Sequence, residues 1–187
     1  MAGAGLKIES AALEAMLGNA LAAGLDLSDL MERMAGHLEF STARHFEQER
    51  SPDGTPWPPS LRALAEGGQT LTKTARLRQS ITSRAGATSA EVGTNVVYAA
   101  IHQFGGEVKH AARTVTLYRH YDAATDTFDP KFRKKKRSNF ATDHQVGAYT
   151  VTVPARPFLG VGPSDLAALR EIARDWLRDA TGGVVRG

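Results

Sequence analysis

The sequence predicts an α+β fold, in which an antiparallel sheet packs with N-terminal and C-terminal helices. Two observations lead to this prediction. Apolar residues recur at helical spacing near both ends of the chain, and strand-like segments lie mainly between them. Helices followed by strands and a closing helix are typical of the α+β class. The length of 187 residues fits one domain with a buried core, so we treat 1–187 as a single domain.

The N-terminal part predicts a short strand and two helices. Residues 6–8 suit the strand, and Ser10 suits the N-cap of the first helix. Asp26 or Ser28 is predicted to cap the second helix, which runs to about Gln48. Its predicted apolar stripe consists of Leu30, Met31, Met34, Leu38 and Phe46.

A turn and a proline-rich stretch follow the second helix. The residues Ser-Pro-Asp-Gly at 51–54 predict a type I turn, because proline presets the second position and glycine suits the fourth. Prolines at 56, 58 and 59 exclude regular structure around Trp57, which we expect to be buried against the long helix. Two glycines at 67 and 68 predict a loop.

The second half of the chain predicts strands and two more helices. The predicted strands are 77–84, 90–93, 113–120 and 149–153, and a short helix is predicted at 98–103. The last helix is predicted to begin with Ser164 as its N-cap and to end at Gly182 and Gly183. Its apolar stripe consists of Leu166, Leu169, Ile172, Ala173 and Trp176.

Positive charge is concentrated in one segment. Residues 107–148 hold nine Lys or Arg against five Asp or Glu, whereas the whole chain has a net charge of only +3. We expect this segment to be a basic excursion from the domain, either a long loop or a hairpin. Most of its excess charge lies in one run, formed by Lys131, Arg133, Lys134, Lys135, Lys136 and Arg137.

Several classes of site are excluded by the sequence. The chain has no cysteine, so thiolate metal sites, disulfides and cysteine nucleophiles are absent. It also lacks the phosphate-binding loop, the dinucleotide fingerprint and the common hydrolase motifs. We therefore predict no enzymatic activity, no cofactor and no metal. No segment predicts a signal peptide or a membrane span, and we expect no membrane partner.

His102 is a candidate for a catalytic role. His102 lies between Ile101 and Phe104 in the predicted short helix. No partner motif completes a catalytic site around it. We expect a half-buried ring that bonds a backbone carbonyl, while Tyr98, Ile101 and Phe104 bury one side of the helix.

Three fragments carry a family resemblance. They are Ser-Pro-Asp-Gly-Thr-Pro-Trp at 51–57, Tyr-Ala-Ala-Ile-His-Gln-Phe-Gly at 98–105 with Leu-Arg-Gln-Ser-Ile upstream at 77–81, and Pro-Ala-Arg-Pro-Phe-Leu-Gly at 154–160. In this order the chain resembles the phage virion morphogenesis, or tail completion, family of Mu-like and related tailed phages. The resemblance covers about residues 28–106 and 149–180, and it implies nothing about the basic excursion.

The resemblance implies a structural protein without enzymatic activity. Such a protein would lie in the virion, at the head–tail junction or the tail end, after assembly in the host cytoplasm. We expect a homo-oligomeric ring, with a hexamer as the first choice, that joins neighbouring neck and tail proteins. The alternative function is a nucleic-acid-binding protein that uses the basic run at 131–137.

Two sets of residues are candidates for an interface. Arg156 lies between two prolines and is expected to be exposed, where it would pair with a carboxylate of another chain. For Phe158, packing in its own core and anchoring a neighbouring subunit both remain open, with core packing favoured. The basic run has three interpretations, namely a solvated loop, a contact with an acidic virion protein, or a contact with phage DNA.

Overall fold

The computed structural model describes residues 11–181 of the chain. The predicted α+β class is confirmed, since helices combine with small antiparallel sheets. The helices are α1 (Ala11–Ala22), α2 (Ser28–Gln48), α3 (Leu61–Glu66), α4 (Arg76–Gln79), α5 (Ala99–Phe104) and α6 (Pro163–Ala180). The strands are β1 (Thr82–Ala85), β2 (Ala90–Gly93), β3 (Gly106–His110), β4 (Arg113–Arg119), β5 (Tyr121–Asp122), β6 (Thr127–Phe128), β7 (Phe140–Val146) and β8 (Tyr149–Val153).

The chain divides into two compact units. The first consists of Met1–Gly106 together with Pro154–Gly187, and we call it the helical unit. The second is Glu107–Val153, and we call it the hairpin unit. Its bounds nearly match the basic excursion predicted at 107–148.

The core of the helical unit forms around α2. Every residue of its predicted apolar stripe is buried, as helical periodicity requires of a helix packed on one face. Helix α2 packs against α6, β1 and β2. From α6, Leu169, Ala173 and Trp176 enter the same core.

Local hydrogen bonds explain where the two long helices begin. The N-cap of α2 is Leu27, so the predicted cap at Asp26 or Ser28 is wrong. The Asp26 carboxylate nevertheless accepts a bond from the Ser28 backbone N–H, in the first turn of the helix, at 3.0 Å. Helix α6 begins earlier than predicted, because Gly162 rather than Ser164 is its N-cap. The Asp165 carboxylate accepts a bond from the Gly162 N–H at 2.9 Å, and a proline suits the first helical position. The predictions at residues 6–8, Ser10, Gly182 and Gly183 lie outside the described residues.

Strand predictions in the helical unit are correct in part. Strand β2 matches the prediction, and it pairs antiparallel with β1 from Thr82↔Gly93 to Ala85↔Ala90. The predicted strand at 77–84 is wrong in its first half, where α4 forms instead. Leu77 on this short helix is only 2% exposed, so it anchors a helical turn to the core.

The hairpin unit is a set of nested strand pairs. Strand β3 pairs with β8, β4 with β7 and β5 with β6. The longest pairing is antiparallel and runs from Arg113↔Val146 to Arg119↔Phe140. Strand β8 was correctly predicted, and its partner β3 begins immediately after the short helix α5.

Candidate assembly site

The three fragments of the resemblance meet in the helical unit around residues 154–160. The side chain of Gln103 bonds the backbone of this extended segment, as the backbone of a neighbouring strand would in a sheet. Its Nε2 donates to the Leu159 carbonyl at 2.7 Å, and its Oε1 accepts from the N–H groups of Phe158 and Leu159 at 3.0 Å each. Gln103 is itself buried, so these bonds satisfy backbone groups that water does not reach.

Further groups bond the same segment. The Trp57 Nε1–H donates to the Pro157 carbonyl at 2.8 Å, and His45 Nδ1 donates to the Phe158 carbonyl at 2.9 Å. The backbone N–H of Arg156 donates to the backbone carbonyl of His102 on the short helix α5 at 2.7 Å. The segment is therefore held by α2, by the proline-rich stretch and by α5 together.

Phe158 fills the centre of this junction. It is fully buried, and its ring centroid lies 5.1 Å from that of Phe46. Phe46 in turn meets the ring of Trp57 edge-on at 5.5 Å. Of the two interpretations of Phe158, the structure supports core packing, and a side chain with no exposed surface does not reach a partner.

The expected exposure of Arg156 is wrong. The residue is only 5% exposed, and its Nε donates to the Pro58 carbonyl at 2.7 Å. Its second terminal nitrogen lies 3.4 Å from the Pro59 carbonyl. Burial lowers the pKa of this guanidinium from its ordinary value. The carbonyls of the proline-rich stretch, rather than a carboxylate of another chain, satisfy Arg156.

Two glycines allow the turn at 51–54 to approach the junction closely. The turn is closed by a bond of 2.8 Å from the Gly54 N–H to the Ser51 carbonyl. A Cβ at Gly160 would lie 2.4 Å from the ring of Pro52, and one at Gly162 would lie 1.9 Å from the Pro52 carbonyl oxygen. Both distances are shorter than any van der Waals contact, so these positions exclude a side chain.

The short helix α5 is buried on a different face from the one predicted. Ala99 and Gln103 are its buried residues, whereas Phe104 is 68% and Tyr98 is 41% exposed. His102 is half buried as expected, but its Nδ1 is buried without a hydrogen-bond partner among the described residues. The expected bond from a ring to a carbonyl is made by His45 instead.

Gln103 and His45 are structural residues that were not predicted from the sequence. The signal for Gln103 is its position four residues after Ala99, which places both on one helical face. His45 lies one residue before Phe46 at the end of the α2 stripe. Neither position reveals from sequence which carbonyl it bonds.

The hairpin unit has the opposite character, because none of its residues is buried. In the pairing of β4 with β7, alternate residues share a face. One face carries Val115, Leu117, Phe140 and Val146 together with Arg113, Arg119, Thr142 and His144, and the other carries Thr114, Thr116, Tyr118, Ala141, Asp143 and Gln145. On β3 and β8, the His110 ring stacks on that of Tyr149 at 4.6 Å, which puts Val108 and Val151 on the same face as this pair. The unit therefore displays apolar side chains to solvent.

The basic run forms a folded turn within the hairpin unit. We call residues 131–137 the basic turn; its last three residues, Lys135–Arg137, form one turn of 3-10 helix. All seven residues are exposed. The backbone N–H of Arg133 donates to the Tyr118 carbonyl on β4 at 2.8 Å, and that of Arg137 donates to the Lys134 carbonyl at 2.8 Å. The run is thus fixed to the paired strands.

Two further kinds of site are absent from the part of the chain that the structure describes. Within residues 11–181, no group of three or more His, Asp or Glu side chains is placed to hold a metal ion. In the same range, no helix is both long and apolar enough to cross a membrane.

Comparison with known proteins identifies relatives of this chain. The model of the phage virion morphogenesis family matches residues 8–178. The chain is also 30% identical over 149 residues to Mu-like prophage FluMu G protein 2 of Haemophilus influenzae, an alignment that covers 80% of this chain and 77% of that protein. No solved structure matches the chain significantly.

Proposed function

The chain belongs to the phage virion morphogenesis family, and we propose from this premise that it is a ring-forming subunit of the virion neck or tail end. The family is one of virion morphogenesis and is not a known class of enzymes. The proposed role is head–tail joining or tail completion, in a hexameric ring that contacts neighbouring neck and tail proteins. A structural role of this kind needs interfaces between chains rather than a catalytic site.

The observation that supports this proposal is the set of large apolar side chains that the hairpin unit leaves exposed. Two-stranded ribbons are at best marginally stable alone in water. This one leaves Phe140, Tyr149 and Val151 each 41% exposed. Tyr149 and Val151 share one face of the β3 and β8 pair with Val108, and exposed apolar patches mark interaction surfaces. The partner that we propose is a second copy of the chain.

A ring accommodates such a contact naturally. Subunits related by rotation in a ring meet through two different surfaces, so each protomer both gives and receives one contact. The hairpin unit would supply one of these surfaces, and its free strand edges could add to a sheet of the neighbour. The buried junction at 154–160 would keep the rest of the subunit rigid.

Deletion of the hairpin unit tests this proposal. The deletion must span 107–153 rather than 107–148, because β8 pairs with β3 and would otherwise lose its partner. Paired strands lie about 4.8 Å apart, so a short Gly-Ser linker bridges the gap. We expect the variant to fold, as judged by a cooperative thermal transition, but to remain monomeric in analytical ultracentrifugation. It should also fail to support the assembly of infectious particles.

A matched pair of substitutions locates the contact more finely. Val115→Lys places a charge on the face that carries Leu117 and Phe140, and Thr114→Lys places the same charge on the opposite face one residue away. We expect only Val115→Lys to dissociate the ring. Normal assembly of the deletion variant, or equal effects of the two lysines, would refute the role given to the hairpin unit.

A further inference from the structure

Hydrogen bonds on both sides hold the backbone of the basic turn. The Asp129 carboxylate accepts bonds from the Lys131 N–H at 2.9 Å and from Arg133 Nε at 2.9 Å. The backbone bond from Lys131 lowers the pKa of Asp129 below its ordinary value most strongly, and the side-chain bond from Arg133 lowers it further. Asp129 therefore stays ionised and anchors the start of the turn.

The end of the turn is anchored by a second side chain. Asn139 accepts a bond from the Tyr121 N–H at 2.7 Å and donates one to the Tyr121 carbonyl at 2.8 Å. The basic turn thus lies between two anchored residues, Asp129 and Asn139. Because the backbone of the turn is already ordered, little backbone conformational entropy is lost when a ligand binds.

Most of the charge in the basic turn has no acidic partner. Arg133 is paired with Asp129. Among the residues that the structure describes, no carboxylate lies within ion-pairing distance of the other cations, which are Lys131, Lys134, Lys135, Lys136 and Arg137. A further cation lies beside them, since the Arg119 guanidinium lies 5.0 Å from the centre of the Phe132 ring.

We propose that the basic turn binds the phosphate backbone of double-stranded DNA without sequence preference. The composition favours phosphate over an acidic protein surface. Lysine is depleted at protein interfaces, whereas it commonly binds phosphate as a point charge. Four of the five unpaired cations are lysines, which act as point charges and neutralise phosphates irrespective of base sequence. This inference goes beyond the proposed ring, because a single subunit carries the whole turn.

The salt dependence of DNA binding measures the number of phosphates neutralised. If all five unpaired cations each neutralise one phosphate, the slope of log K against log salt is about −4.5, or roughly a five-hundredfold loss of affinity between 50 and 200 mM salt. The variant Lys134→Gln, Lys135→Gln, Lys136→Gln would keep two contacts. Its slope would be about −1.8, or roughly a twelvefold loss. Fluorescence anisotropy with a labelled 20-base-pair duplex of arbitrary sequence measures both slopes.

Two control variants keep the experiment specific. Arg76→Gln, Arg84→Gln, Arg170→Gln removes the same charge from exposed positions of the helical unit and should leave the slope unchanged. Replacing the three lysines by arginine keeps the charge of the basic turn and should retain the steep slope. Far-ultraviolet circular dichroism of each variant verifies its fold.

Three results would overturn the proposal. The first is an unmodified chain whose slope is no steeper than that of the lysine variant. The second is an equal loss of affinity in the control variant of the helical unit, which would show a response to net charge alone. The third is tighter binding to a polyglutamate peptide than to the duplex, which would assign the turn to an acidic protein. None of these measurements requires a ring, so failure here and failure of the proposed ring are distinguishable.

Discussion

Replacing Gln103 by leucine should destabilise the helical unit severely. Leucine has nearly the volume of glutamine, so the substitution opens little space but removes three hydrogen bonds. The bonds are those to the Phe158 N–H, the Leu159 N–H and the Leu159 carbonyl, at 3.0, 3.0 and 2.7 Å. Phe158 is 0% exposed and Leu159 is 4% exposed, so water offers little replacement.

The expected loss of stability follows from the orphaned groups. Each buried backbone group left without a partner costs about 1–3 kcal/mol. Three neighbouring groups relax together, so we expect a total of about 3–6 kcal/mol. That is a large share of the roughly 5–15 kcal/mol by which a domain is stable. The midpoint of thermal unfolding should fall by roughly 6–24 °C for a chain of this size.

Urea denaturation and a matched variant check this expectation. Gln79→Leu makes the same chemical change at an exposed position, and we expect it to shift stability by at most about 0.5 kcal/mol. Hydrogen exchange should accelerate at the Phe158 and Leu159 amides in Gln103→Leu alone. If the two variants unfold at the same urea concentration, Gln103 does not hold the extended segment and the reasoning fails.

Three more substitutions test the junction. Trp57→Ala should cost about 3–5 kcal/mol in urea denaturation, whereas Trp57→Phe, which keeps one aromatic ring but loses the Nε1 bond and part of the indole volume, should cost about 1–3 kcal/mol. Unchanged melting of Trp57→Ala with failed assembly would instead place this residue at an interface. Gly162→Ala should lower the melting temperature of the chain because the new Cβ would clash with the Pro52 carbonyl oxygen. Gly36→Ala on α2, where a Cβ meets open space, should instead stabilise the chain by about 1 kcal/mol. Equal melting temperatures of the two variants would refute this contrast. Burial lowers the pKa of His102 below its ordinary value of 6.5, so the unfolded chain binds a proton more readily and stability is lost as the pH falls below 6.5. The variant His102→Gln should lose less stability than the unmodified chain between pH 7.5 and pH 5, as measured by melting curves. An equal loss in the two chains would contradict this expectation.

Periodicity in the sequence was sufficient to predict the long elements. Helices α2 and α6 carry uninterrupted apolar stripes, and β8 alternates aromatic or branched residues with threonine. The stretch at 77–84 has no such pattern. It has only two apolar residues, Leu77 and Ile81, and their spacing of four suits a helical turn better than a strand. Strand propensity was therefore a weak guide there.

The partners of strands and of polar groups were beyond the reach of the sequence. Strand β8 was identified correctly, but its pairing with β3 joins residues about forty positions apart, and such pairing depends on the packing of the whole chain. Arg156 was expected at the surface because arginine usually is exposed. That expectation is wrong because the Pro58 and Pro59 carbonyls accept hydrogen bonds from the guanidinium. No local sequence pattern predicts these bonds.

The basic excursion was predicted from charge alone, and charge also explains why its two proposed contacts should separate experimentally. The hairpin unit has a net charge of +4, and the remainder of the chain has a net charge of −1. Attraction between two copies through charge is therefore weak, and a ring held by apolar faces should tolerate salt. Binding of DNA to the basic turn should instead weaken steeply with salt, because it depends on counterion release. A titration of salt that dissociates DNA while the oligomer persists would assign the two contacts to different surfaces of the same unit.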